Sequence, residues 1–318
     1  MTIAVSRAAF LTAAAACAMR PGYAAAAGPV AIRAGSAGDD DVTPLLYAQK
    51  SGILKRAGLD ATVQRMSSGS AVASGVVGGT FDIGKSSLLS LINARGRGVP
   101  IMIIAPAGVY DASAPIGGLI VKSDGPIKTA ADLNGKVIAV SALNDLYSIS
   151  TKAWVDQHGG ESSSIKLVEL PISAVPEALQ QGRIDAGNVL EPELEFAIES
   201  GKVRVLAHPF DAIARRFLYT AWFATTEYAT KNRDVVERFV RAMRDAANYT
   251  NQHHDDTVAL LADFTKVSPA VIGKATRSTA GTSIDPKDVQ HLIDMAAKYK
   301  AIPAPFDAKD LIDPGYRA

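Results

Sequence analysis

Short apolar runs alternate with amphipathic stretches along most of the chain, the pattern of parallel strands joined by helices. Val30–Gly35 predicts a first strand, Pro44–Ala57 a helix ending before Gly58, and Ala61–Met66 a second strand. The spacing then predicts a helix over Ser70–Val77, a strand over Phe81–Gly84, a helix over Ser87–Ala94 and a fully apolar strand over Pro100–Ala105. After that the pattern restarts. Gly117–Val121, Lys136–Ser141, Ile165–Leu170, Arg183–Val189 and Val203–Ala207 predict strands. Thr129–Leu133 predicts one helical turn, and Ser148–His158, Ala174–Gln181 and Glu193–Ser200 predict helices. A last strand, Tyr219–Thr225, leads into a helical third. There Asp234–His253 places Val235, Val236, Phe239, Val240, Met243 and Ala247 on one helical face. Thr257–Phe264 and Pro286–Tyr299 are the remaining predicted helices.

Two such units followed by a helical return predict an α/β protein of two lobes. Each lobe has a mainly parallel sheet flanked by helices, and a ligand cleft lies between them. Residues 28–113 would begin the first lobe, 114–218 would form the second, and 219–318 would return to the first and add the C-terminal helices. The crossings fall near 109–114 and 214–220.

The N-terminus changes the setting. Arg7 precedes an apolar stretch, Ala8–Met19; Pro21-Gly22 then breaks it, and Ala24 to Ala27 offer small-residue cleavage sites. That order is a secretory signal peptide, residues 1–27, and the apolar stretch is too short to span a bilayer, which takes ~20 residues. The protein is therefore expected in the periplasm. Cys17 opens the alternative of a lipid anchor, although the box before it lacks its usual leucine. Cleavage removes Arg7, Arg20 and the only cysteine, so the formal charge of +1 becomes −1. A near-neutral chain has no electrostatic footprint for nucleic acid, and a cysteine-free one has neither disulfides nor thiolate chemistry. No later segment is apolar enough to span a membrane, so a soluble monomer is expected.

Four segments carry a family resemblance: Tyr47–Leu54 (YAQKSGIL), Val77–Gly84 (VGGTFDIG), Ile127–Val140 (IKTAADLNGKVIAV) and Ala178–Pro192 (ALQQGRIDAGNVLEP). Their order and spacing resemble the periplasmic substrate-binding proteins of ABC importers, in the nitrate/sulfonate/taurine and pyrimidine-precursor (NMT1/THI5-like) group. The resemblance implies the two-lobed type II binding-protein fold and a small-molecule ligand, with sulfonates, carboxylates and aromatic acids as candidates. It also implies an inner-membrane permease with its ATPase as partner. One branch of the group makes the thiamine pyrimidine and carries a cysteine-rich motif, which this chain lacks. A pyrimidine-precursor binder, or an enzyme or sensor on the same fold, is the alternative.

Ligands of open parallel sheets sit beyond the carboxyl ends of the strands, near helix N-termini that favour anions. That rule selects Ser36 after the first strand; Ser68, Gly69 and Ser70 after the second; and Lys85 and Ser86 after the third. Gly108 and Tyr110 follow the fourth. In the second lobe it selects Ser141, Asn144 and Ser148, and Glu191; Tyr219 lies at the return crossing. Lys85 is read as an ammonium at the cleft rim and Tyr110 as a ring for stacking. Asp145 would repel an anion unless it caps a helix. Asp39-Asp40-Asp41 reads as a solvated acidic loop, and His253-His254-Asp255-Asp256 as a solvated helix end rather than a metal site. The chain contains no G-x-S-x-G, H-E-x-x-H or P-loop lysine motif. The reading is a binding protein without catalytic residues, cofactor or metal.

Overall fold

The computed structural model describes residues 28–191 and 193–316; the leader and the Cys17 anchor lie outside them. Strands β1 (Val30–Ala37), β2 (Leu59–Met66), β3 (Ile83–Ser87) and β4 (Ile101–Pro106) belong to one sheet. The short β5 (Gly108–Asp111) leads out of it. Strands β6 (Gly117–Lys122), β7 (Val137–Val140), β8 (Lys166–Glu169), β9 (Ala186–Leu190) and β10 (Val203–Ala207) make a second sheet. Then β11 (Arg216–Leu218) crosses back, β12 (Thr220–Thr225) re-enters the first sheet, and β13 (Thr279–Ala280) joins the crossings. The orders are β2-β1-β3-β12-β4, β10-β6-β9-β7-β8 and β11-β5-β13.

Each large sheet is parallel except for one strand. In the first, β12 runs antiparallel to β3 and β4; in the second, β6 runs antiparallel to β9 and β10. Both exceptions directly follow a crossing strand. A chain arriving from the other lobe enters at the hinge end, so it runs against the strands built by βα units. The crossings pair with each other, Asp111 opposite Arg216 and Tyr110 opposite Phe217, which makes a small hinge sheet.

The elements form where burial rewards the pattern. All of β4 is buried, as a strand covered on both faces must be. The 18-residue helix Arg233–Thr250 buries Val236, Phe239, Ala242, Met243 and Ala246 against residues of the first sheet. Phe239 meets the indole of Trp222 on β12 edge-on, with centroids 5.6 Å apart. Each such large side chain contributes roughly 1.5–3 kcal/mol. Among the described residues, no helix is long and apolar enough to cross a membrane.

Three expectations change. The helix over 44–57 is two, Thr43–Lys50 and Ile53–Arg56, because Gly52 adopts φ = 77° between them. The third strand is not 81–84 but Ile83–Ser87, so Lys85 and Ser86 lie inside it. Pairing of Gly84, Lys85, Ser86 and Ser87 with β12 draws this polar run into the sheet. Phe81 instead packs beneath Gly35 and Gly75, where any Cβ would strike its ring. The hinge sheet itself has no counterpart in the sequence pattern.

Candidate ligand-binding site

A cavity of about 270 Å³ lies between the lobes, at the carboxyl ends of β1, β3, β7 and β9. From the first lobe come Ala37, Asp39, Ser68, Gly69, Ser70 and the Lys85–Ser87 run with Ser90. The second lobe brings Ser141, Ala142, Asp145, Leu146, Tyr147 and Leu190; Phe210, Tyr219 and Thr220 close the hinge side.

Three helix N-termini line this space, and each is capped by a residue on its wall. Ser68 caps Gly69–Val77, its Oγ accepting the Ala71 N–H at 3.2 Å. Ser87 caps Leu88–Gly96, accepting from Ser90 at 3.2 Å. Asp145 caps Leu146–Gln157, accepting from Ser148 at 2.8 Å. The caps leave further first-turn N–H groups without intrahelical partners, and each helix end carries a partial positive charge. Gly69 allows a close approach to Ser86: a Cβ there would force the Ser86 hydroxyl to move.

Two hydroxyls stand out. Ser86 Oγ and Tyr147 OH are buried and have no hydrogen-bond partner among the described residues. Ser86 belongs to the first lobe and Tyr147 to the second, and both line the cavity. An unmet buried hydroxyl costs roughly 1–3 kcal/mol, so each is ready for a polar ligand atom.

Lys85 is not the free ammonium the sequence suggests. It is fully buried, and its Nζ donates to Asp39 at 2.9 Å and to Asp41. Burial alone would lower its pKa, but the two carboxylates outweigh that and hold it above its ordinary value. One ammonium between two carboxylates leaves no positive charge over for an anion. The aspartate triplet is accordingly no solvated loop. Asp41 also accepts from Thr220, and Asp40 takes the fork of Arg277 at 2.7–3.0 Å. Its position at the carboxyl end of the first strand was the signal that could have revealed this role.

Other candidates separate in space. Ser68, Gly69, Ser70, Lys85, Ser86, Ser141 and Tyr219 come together around the cavity; Ser36, Gly108, Tyr110, Asn144 and Ser148 do not line it. Ser36 is buried in β1 and donates to the Ala37 carbonyl at 2.8 Å. Gly108 lies under the Tyr219 ring and donates to Thr220 Oγ1 at 2.7 Å, so it shapes the wall from behind. Tyr110 cannot stack on a ligand: its ring is packed with Phe210 and Phe217, and its OH donates to Asp211 at 2.6 Å. Ser148 is buried below the helix end, its Oγ donating to the Asp145 carbonyl at 2.8 Å. Asn144 is exposed, and its carbonyl accepts from Asn93 of the first lobe at 3.2 Å. Glu191 lines a neighbouring cavity instead.

Asp145 resolves as a cap, also accepting from Ser141 and from the Ala142 N–H at 3.0 Å. Burial nonetheless pushes its pKa up. Phe210 and Tyr147 escape sequence reasoning as wall residues. They stack at 4.7 Å, and Phe210 belongs to a short 3-10 turn that no motif marks. His253 and Asp256 are held by Tyr249, through its carbonyl and its hydroxyl, and no group of three or more metal-ligand side chains occurs among the described residues.

The chain is similar in sequence to binding proteins and to synthases. The chain is 25% identical over 240 residues to an aliphatic sulfonates-binding protein of Escherichia coli (strain K12), covering 74% of this chain and 73% of that one. It is 22% identical over 218 residues to a 4-amino-5-hydroxymethyl-2-methylpyrimidine phosphate synthase of Saccharomyces cerevisiae, covering 65% and 62%. The crystal structure of the periplasmic aliphatic sulphonate binding protein SsuA from Escherichia coli superposes with a TM-score of 0.76 at 20% identity, over 92% of this chain and 94% of that one. The fold is thus that of periplasmic binding proteins. The family model described as NMT1/THI5 like matches residues 39–257, from the aspartate triplet through the hinge and into the C-terminal helices, and the chain belongs to that family.

Proposed function

We propose that the protein is the solute-binding component of an ABC importer. It captures a small organic anion, a sulfonate, carboxylate or aromatic acid, between its lobes and delivers it to an inner-membrane permease served by an ATPase. The observation that carries this reading is the pair Ser86 and Tyr147, two unpartnered buried hydroxyls on opposite lobes beside capped helix ends. Because Lys85 is neutralised, the anion is held by N–H groups, helix dipoles and serine hydroxyls rather than by a cation. Ser68, Gly69, Ser70 and Ser86 would grip it from the first lobe, and Ser141 and Tyr147 from the second.

The charged groups at the cavity also favour binding over turnover. Asp145 is held as a helix cap and Lys85 within an ion-pair cluster, so neither is free as an acid or base. The yeast relatives are synthases, yet the only cysteine here is Cys17. Export to the periplasm and action as a monomer complete the proposal; the signal layout of residues 1–27 supports the first.

A second reading, a ringed solute such as a pyrimidine precursor, is favoured by the aromatic wall of Tyr147, Phe210 and Tyr219. A thermal-shift panel of alkanesulfonates, aliphatic carboxylates, aromatic acids and pyrimidines tests both. At 100 times its dissociation constant a true ligand adds about 2.7 kcal/mol of stability. A panel with no shift defeats the proposal, pyrimidine-only shifts favour the second reading, and chemical conversion of the bound compound overturns the binding-only role.

A further inference from the structure

Outside the hinge strands, one ion pair among the described residues joins the two lobes: Lys274 Nζ meets Glu199 Oε1 at 3.1 Å. Neither residue lines the serine-lined cavity or the neighbouring one that holds Glu191, so the contact is separate from both.

Each partner is fixed to its own lobe. Glu199 ends the helix Glu193–Glu199, whose Leu194 and Ala197 are buried in the second lobe's core. Glu191, Glu195 and Glu199 follow at four-residue spacing, and no basic residue lies between Leu190 and Ser200. A carboxylate in the last turn also meets the negative end of its helix, so a cation is favoured there twice over. Lys274 comes just after the short first-lobe helix Pro269–Ile272, with Ile272 buried in that lobe's core. Three residues on, Arg277 gives its fork to Asp40 at 2.7–3.0 Å and donates to Thr257 at 3.2 Å. Between them the Thr276 N–H donates to Glu191, so the second lobe grips this segment at two points. Glu195 and Phe196 face Ala270 and Val271 across a gap of about 80 Å³.

The other cations nearby do not compete for Glu199. Arg277 is taken by Asp40 of its own lobe. Arg65 lines the cavity of Glu191 and Glu193, is tied to the Thr265 carbonyl at 2.7 Å, and takes part in no ion pair among the described residues. The gripped segment also leads inward, because Asp40 adjoins Asp39 on the wall of the serine-lined cavity.

We propose that Lys274 and Glu199 form a latch between the lobes, a pair of positioning residues that favours the closed arrangement without touching the solute. A solute then supplies only the rest of the free-energy difference that holds the lobes together. The side chains are 65% and 48% exposed, so the latch shifts the balance by a small factor, about two- to fivefold.

Single-molecule energy transfer on protein stripped of bound solute tests this. Dyes go on Lys55→Cys in the first lobe and Lys166→Cys in the second, with Cys17→Ser removing the native thiol. The wild type should show a closed population beside an open one. Lys274→Glu sets two carboxylates against each other and should lower the closed-to-open ratio by about threefold or more. Lys274→Glu combined with Glu199→Lys rebuilds the pair in reverse and should restore the ratio. Thermal melts of the variants should match the wild type, because both side chains are exposed. A wild type with no closed population, or a ratio that Lys274→Glu leaves unchanged, overturns the latch. A loss that the exchange fails to restore overturns its assignment to this pair. No solute is present, so a failure here leaves the reading of the serine-lined cavity standing.

Discussion

Lys85 and Asp41, 44 positions apart in the chain, meet as an ion pair that solvent does not reach, with side chains 1% and 0% exposed. The pair joins β3 to the turn after β1 and, through Thr220, to the start of β12. It therefore ties together three segments beside the cavity, which Lys85 and Thr220 line. Breaking a buried pair from one side leaves the other charge stranded.

Lys85→Met should accordingly destabilise the protein by about 3–5 kcal/mol, because Asp41, whose pKa burial already raises, is left in the interior without its counter-ion and must take up a proton. The double substitution Lys85→Met, Asp41→Leu should recover much of that loss. Urea unfolding midpoints of the two variants and the wild type measure both effects. A single-variant cost below about 1 kcal/mol would show that the pair is relaxed by solvent.

Ser86→Ala and Tyr147→Phe should separate stability from binding. Each removes a buried hydroxyl that lacks a partner, so the ligand-free protein should be as stable as the wild type or gain up to about 1 kcal/mol. Ligand affinity should fall by about tenfold or more, since the ligand's polar atom then has no hydroxyl to meet. Thermal melts with and without a ligand found by the panel give both numbers. Loss of stability in the ligand-free state would count against the idea that these groups are held in reserve.

Glu191 supplies a pH dependence whose sign can be worked out. Burial, reinforced by Glu195 and Glu193, pushes its pKa up from 4.5 to about 7. Between those values the unfolded chain has released the proton and the folded chain keeps it, so this group's contribution to stability declines as pH rises from 4.5 to 7. Glu191→Gln should match the wild type near pH 4.5 and exceed it at pH 8. The gap is on the order of 1 kcal/mol, reduced because solvent reaches the carboxyl. Melting temperatures of both proteins at the two pH values decide it; a constant gap would exclude ionisation as the cause.

The legible part of the site was its serines and glycine. Ser68-Gly69-Ser70 follows a strand and opens a helix, and that context alone places it at a strand's carboxyl end. Lys85 was misjudged because its partners lie far back in the chain, and no local pattern reports on whether an ammonium is free or paired. Tyr110 failed for a similar reason. Its strand was unmarked, and only the antiparallel pairing with β11 turns its ring into the packed cluster of Phe210 and Phe217.

Periodicity along the chain was enough for the alternation of strands and helices, because a buried face demands a repeat of two or 3.6 residues wherever the chain is read. Composition was enough to exclude thiol chemistry beyond Cys17. Pairing decided the rest. Strand β12 drew the polar Gly84–Ser87 run into the first sheet, carried Thr220 to Asp41, and set Ser86 on the wall of the cavity that Tyr147 lines from the other lobe. These are contacts between residues tens to more than a hundred positions apart. Their energies depend on burial and on partners, which a local stretch of sequence does not contain and only the folded chain supplies.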